Sequence, residues 1–204
     1  LGRPTGALYL GIEEDATLLT KAESAVTNES LRVDIIAAEG DTIKSYSDYI
    51  DEVKGKKIVL PVGTYTISVK SNQSEEAGWE KPFYSGSKEI TIQSGEITSV
   101  QIVCKISNTK VAVEYAGNLA NYFSRRYETT VSNTSGSLLY TRDETRAGFF
   151  KAEKLTADLR LVNLDGNEFT MQRVFPDIKE QYFYKIKYSL DDGGGNEEAG
   201  ADFD

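Results

Sequence analysis

Hydrophobic residues fall at every second position through much of this chain, which is the period of a β-strand with one wet face. The clearest case is 57–70, K-I-V-L-P-V-G-T-Y-T-I-S-V-K, where Tyr65, Ile67 and Val69 alternate with Thr64, Thr66, Ser68 and Lys70. Pro61 and Gly63 stand just before the alternation, so the chain turns tightly and enters the strand from a fixed direction. The ring of Tyr65 can seal the edge of a β-core while its hydroxyl reaches nearby backbone. Pro61, Gly63 and Tyr65 therefore read as a structural corner at which the chain crosses over in a β-sandwich, not as an active site.

The same pattern predicts the remaining elements. Leu8, Leu10 and Ile12 mark a first strand, followed by an acidic loop at Glu13-Glu14-Asp15, and 24–30 is polar and irregular. Leu31, Val33, Ile35 and Ala37 mark a second strand. Tyr46, Tyr49, Ile50 and Val53 fall at helical spacing and predict one short helix, with Ser45 as its N-cap and Gly55 beyond its end. A long loop over 71–87 leads to a strand at Ile90 and Ile92 and another over 100–106. After Ser107-Asn108 the alternation restarts at Val111, Val113 and Tyr115, and again at Tyr127, Thr129 and Val131. Leu138-Tyr140, Phe149-Phe150 and Leu155-Leu159-Leu161 follow. Asp165-Gly166 is a two-residue hairpin signal, with Phe169 and Met171 on the return strand. Tyr182, Tyr184, Ile186, Tyr188 and Leu190 form the last long strand, and the acidic, Gly-rich stretch from about 191 reads as a mobile tail or an exit linker.

The two halves look like copies of one plan. Ile35 and Val131 lie 96 positions apart, as do Tyr65 and Leu161. Short strands with turn signals, repeated twice, predict an all-β chain: two tandem antiparallel β-sandwiches, Ig-like or transthyretin-like, over 1–107 and 108–204, with at most one or two short helices.

Composition narrows the chemistry. The 204 residues include 32 Asp plus Glu against 23 Lys plus Arg, a net charge of −9. That balance disfavours nucleic acid and anionic membrane surfaces as partners. No histidine is present, which removes the commonest general base and zinc ligand and every Ser-His or Cys-His arrangement. Cys104 is the one cysteine and sits among Val100, Ile102 and Ile106, as a buried small hydrophobe would. Glu13-Glu14-Asp15 and Asp191-Asp192 lack the spaced ligands of a calcium loop and read as solvated acidic turns. No nucleophile elbow, phosphate loop or zinc motif occurs. Neither a metal, a cofactor nor a catalytic residue is expected, and the chain reads as no enzyme.

One loop carries candidate binding chemistry. Gly78-Trp79-Glu80-Lys81-Pro82-Phe83-Tyr84 holds the only tryptophan with two more aromatics. Trp79, Phe83 and Tyr84 could offer stacking area to a sugar or peptide, with Glu80 orienting it. The competing reading is that Trp79 and Phe83 fold back and plug a core. The burial of Trp79 discriminates between them.

Several stretches together carry a resemblance. They are Gly6-Ala7-Leu8-Tyr9-Leu10, the Leu60-Pro61-x-Gly63-x-Tyr65 corner, Pro82-Phe83-Tyr84-Ser85-Gly86, and Val103-Cys104-Lys105 leading to Asn108-x-Lys110-Val111-x-Val113. In that order they resemble an uncharacterised family of Bacteroides-type surface lipoproteins, similar to fimbrillin-like and other cell-adhesion proteins. The resemblance implies an exported protein at the outer membrane, anchored by a lipid on a cysteine upstream of Leu1. It also implies a non-enzymatic adhesion or fimbria-associated role, with protein subunits or a host or cell-surface ligand as partner. The alternative is a glycan-binding surface lipoprotein that uses the loop around Trp79.

Overall fold

The computed structural model describes residues 2–16, 30–124, 126–190 and 199–203. The alternation becomes strands almost throughout, and the chain divides into two compact units. Within the described residues, the first unit takes 2–16, 30–74 and 83–106, and the second takes 75–82 and everything from 107 onward.

In the first unit the strands are β1 (Thr5–Asp15), β2 (Leu31–Ala37), β3 (Thr42–Tyr46), β4 (Ile58–Pro61), β5 (Gly63–Ser71), β7 (Tyr84–Ile92) and β8 (Ile97–Ile106). They run in the order β3-β2-β5-β7-β8-β1-β4. β7 meets β8 only through Tyr84 and Ser85, opposite Ile106 and Lys105, while it pairs with β5 along most of its length. One layer is thus β3-β2-β5-β7 and the other is β8-β1-β4, hinged at that short joint. Val33, Ile35, Ile67, Val69 and Ile92 from one layer and Leu8, Leu60, Ile102 and Cys104 from the other are all buried. Gly86 sits at the hinge, where an added Cβ would lie 2.6 Å from the Val103 carbonyl oxygen, so close approach excludes a side chain.

In the second unit the strands are β6 (Gly78–Trp79), β9 (Asn108–Tyr115), β10 (Glu128–Asn133), β11 (Gly136–Thr141), β12 (Gly148–Lys151), β13 (Leu155–Val162), β14 (Glu168–Phe175), β15 (Phe183–Leu190) and β16 (Ala199–Phe203). One sheet runs β11-β10-β13-β14 and the other β16-β15-β9-β12-β6. The core between them includes Val111, Val131, Tyr140, Phe150, Leu155, Leu159, Ile186 and Tyr188.

The two units share one topology. β3-β2-β5-β7 corresponds to β11-β10-β13-β14, and β8-β1-β4 corresponds to β15-β9-β12. Even the exceptional parallel pair recurs, β1 with β8 and β9 with β15. The constant 96-residue offset does not carry through the register, because Ile35 faces Ile67 whereas Val131 faces Ala157.

Several local expectations are corrected. Glu13, Glu14 and Asp15 form no acidic loop; they extend β1 in parallel pairing with Val103, Cys104 and Lys105. The helix is a single turn, α1 (Tyr49–Glu52), whose N-cap is Asp48 rather than Ser45, with the Asp48 carboxylate accepting from the Asp51 amide at 3.1 Å. Tyr46 and Ser45 belong instead to β3, which pairs with β2. The loop expected over 71–87 contains β6 and the start of β7. The expected exit linker holds β16, paired with β15 from Ile186 to Leu190. The irregular stretch expected over 24–30 lies outside the described residues apart from Ser30, as does Asp191-Asp192.

Cys104 is fully buried, and burial pushes its thiol up from 9.0 to about 11. At pH 8 the thiolate fraction in the folded protein is then about one in a thousand. A chromogenic disulfide reagent at pH 8 is expected to leave Cys104 untouched until denaturant is added; rapid native-state labelling would contradict the burial. The shift also carries a sign for stability. The folded state holds the proton more tightly, so its contribution is present below pH 9 and is lost as pH rises through about 11.

Candidate functional site

The corner at 61–65 is built as a brace between layers. Pro61 ends β4, opposite Thr5 of β1, while Gly63 opens β5, opposite Ile92 of β7. The chain therefore changes layers across Val62, whose amide donates to the Pro4 carbonyl at 2.9 Å. The Tyr65 hydroxyl donates back to the Pro61 carbonyl at 2.9 Å. Its ring folds over Gly63, where a Cβ would stand 3.5 Å from the hydroxyl. Pro61, Gly63 and Tyr65 thus hold a crossing point between layers.

The aromatic loop is divided between the units. Glu75–Pro82 belongs to the second, and Phe83 and Tyr84 belong to the first. Phe83 and Tyr84 are both buried, Tyr84 completely, so neither presents a stacking face. Among the four candidate contact residues, only Trp79 and Glu80 are brought together at a surface.

β6 extends the edge of its sheet by pairing antiparallel with β12, Trp79 opposite Gly148 and Gly78 opposite Phe149. Flanking bonds pin both ends: Ala77 N–H donates to the Ser135 carbonyl at 2.9 Å, and Glu80 N–H to the Ala147 carbonyl at 3.0 Å. The Asn108 side-chain amide donates to the Lys81 carbonyl at 3.1 Å. Glu80 takes a positive φ of 49°, a conformation that costs a side-chain-bearing residue and persists only where neighbours fix it.

Half-buried Trp79 is held on two sides. The Tyr140 ring meets it edge-on at 4.7 Å, and the Arg146 guanidinium lies 4.8 Å from its ring centre. Arg146 is itself clamped by Glu144, through Nε at 2.9 Å, Nη2 at 2.8 Å and the backbone amide at 2.9 Å. Those donors hold the Glu144 carboxyl down at about 2. Tyr140 anchors the inner side: its hydroxyl donates to the Val111 carbonyl at 2.8 Å and accepts from the Gly148 amide at 3.1 Å. Gly148 has no room for a Cβ, which would strike Leu138 and the Tyr140 hydroxyl. The sequence reading missed Tyr140, Glu144 and Arg146. The charged run Thr141-Arg142-Asp143-Glu144-Thr145-Arg146 was the available signal, since it places a guanidinium in a turn, but nothing in it points back to Trp79.

The described residues contain no group of three or more His, Cys, Asp or Glu able to hold a metal, and no helix long and apolar enough to cross a membrane.

The fold recurs in solved structures at low sequence identity. A candidate polysaccharide-binding protein of Bacteroides thetaiotaomicron superposes with a TM-score of 0.55 at 9% identity, covering 92% of each chain. A candidate cell-adhesion protein of Bacteroides eggerthii gives 0.52 at 8% identity, over 97% of this chain and 90% of that one. Another, from Parabacteroides distasonis, gives 0.50 at 10% identity, over 98% and 96%. These likenesses show a shared fold. No curated protein matches the sequence. Its own pattern, however, fits one family model over residues 4–201, and the chain belongs to that family, the domain of unknown function DUF4493.

Proposed function

We propose that this protein is a non-enzymatic adhesion component displayed at the cell surface, with a protein subunit or a host or cell-surface ligand as its partner. The observation that carries the reading is the employment of Trp79. The residue best suited to stacking on a ligand is pinned between Tyr140 and Arg146, and its strand completes a sheet edge. Chemistry spent in this way builds scaffold. The solved proteins with the same fold, two of them candidate cell-adhesion proteins, support a surface-binding role. A fimbria-associated place and a lipid anchor on an upstream cysteine are the finer parts of the proposal and rest on the resemblance given above.

A glycan array read with wild type and Trp79→Ala tests the reading. The variant is expected to lose about 2 kcal/mol of stability, less than a fully buried tryptophan because the ring is half-exposed, while any glycan binding persists. Glycan binding abolished in a variant of unchanged stability would transfer the role to the aromatic loop. Beads coated with the whole chain should adhere to cell monolayers above an albumin control, and chromogenic glycosides should show no turnover.

A further inference from the structure

The outward face of the β11-β10-β13-β14 sheet carries a recess of about 490 Å³, within the range of small-ligand sites. Glu128 and Thr130 of β10, Asp158 and Arg160 of β13, and Thr170 and Gln172 of β14 line it. Strand register sets these side chains in two rows. One runs Thr141, Glu128, Arg160, Thr170; the other runs Leu139, Thr130, Asp158, Gln172. Four strands at about 4.8 Å spacing make each row roughly 14 Å long.

Much of the recess is already ordered. Arg160 donates to Glu168 at 2.8 Å and to Glu128 at 3.4 Å, and the Gln172 amide donates to Asp158 at 2.7 Å. Charged and amide groups fixed in this way lose little conformational freedom when a ligand arrives. Bonding capacity is left over: among the described residues the Thr130 and Thr170 hydroxyls make no hydrogen bond, and the Gln172 carbonyl oxygen accepts none. The recess thus offers both donors and acceptors at close intervals. Apolar area flanks it, with Leu139 47% and Val174 49% exposed.

We propose that this recess binds a neutral glycan. A sugar ring presents hydroxyls that each donate and accept, together with a C–H face, and Leu139 or Val174 can receive that face while the two rows take the hydroxyls. Charge selects against anionic glycans, because the one guanidinium of the recess, Arg160, is already paired with two carboxylates, Glu128 and Glu168, and Asp158 adds a third negative charge to the lining. The site deepens the adhesion reading by giving it a ligand class, and it leaves Trp79 as scaffold.

Calorimetric titration of the whole chain with a soluble neutral glucan, a mannan and an arabinoxylan, and with polygalacturonate as anionic probe, tests the proposal. At least one neutral polysaccharide is expected to bind and polygalacturonate is not. The double variant Asp158→Ala/Gln172→Ala should weaken binding at least tenfold, and Thr130→Val/Thr170→Val should do the same with strand-forming side chains retained and an unchanged melting temperature. Binding undiminished in both variants, binding of polygalacturonate alone, or no binding by wild type would overturn the site. Bead adhesion is read separately, so loss of the recess with adhesion intact removes the ligand class and keeps the adhesive role.

Discussion

Tyr140→Ala is expected to cost about 5 kcal/mol, enough to leave the second unit barely folded. The side chain is fully buried, so its truncation opens a cavity of the kind that costs 3–5 kcal/mol for a large aromatic, by roughly the usual scale. It also removes the two hydrogen bonds of its hydroxyl, to the Val111 carbonyl and from the Gly148 amide, at about 0.5–1.5 kcal/mol each. Collapse of the surroundings recovers part of this sum. Tyr140→Phe separates the contributions: packing survives, the two bonds go, and a loss of about 2 kcal/mol is expected. Trp79 is the only tryptophan and touches Tyr140, so urea unfolding followed by its fluorescence reports this unit directly. A loss below about 2 kcal/mol for the alanine variant would show that Tyr140 is not the keystone of the second core.

The second large effect is expected at Tyr65→Ala, about 3 kcal/mol, in the first unit. Tyr65 is buried like Tyr140, but its hydroxyl satisfies a single carbonyl, that of Pro61, hence the smaller figure. Tyr65→Phe should cost about 1 kcal/mol. Far-UV circular dichroism is the appropriate probe, because the only tryptophan belongs to the other unit. A change under about 1 kcal/mol for the alanine variant would mean that the corner does not brace the crossing between layers.

What could be read from the residues follows a physical rule. Strands that bury one face and wet the other, such as β2, β5, β13 and β15, advertise themselves by alternation, and so the all-β class and the doubled plan were legible. β3 was not, because Thr42–Tyr46 is exposed or half-exposed throughout and buries no alternate residue; Tyr46 and Tyr49 then mimicked a helical spacing. β6 is two residues long and exists only because β12 lies beside it, a pairing that no local pattern can encode. β16 holds small and acidic residues with one aromatic, Phe203, in a Gly-rich context, too little alternation to read as a strand, and pairs in a ladder with β15. The candidate site was legible in part. Trp79 stood out as a lone tryptophan among polar residues, but its packing on Tyr140 and its cap of Arg146 depend on contacts made far along the chain. The recess residues were hidden in plain view, since Glu128, Thr130, Asp158 and Arg160 occupy the wet positions of alternating strands, where any polar residue would serve.

The excursion of 75–82 has a consequence for manufacture and for assembly. A fragment begun at Ser107 would carry every other strand of the second sandwich yet leave β12 with a bare row of amides and carbonyls, the kind of margin that recruits foreign strands and clumps. On the ribosome, the piece that closes this margin emerges before the body it will close, since it lies in sequence between two strands of the earlier sandwich.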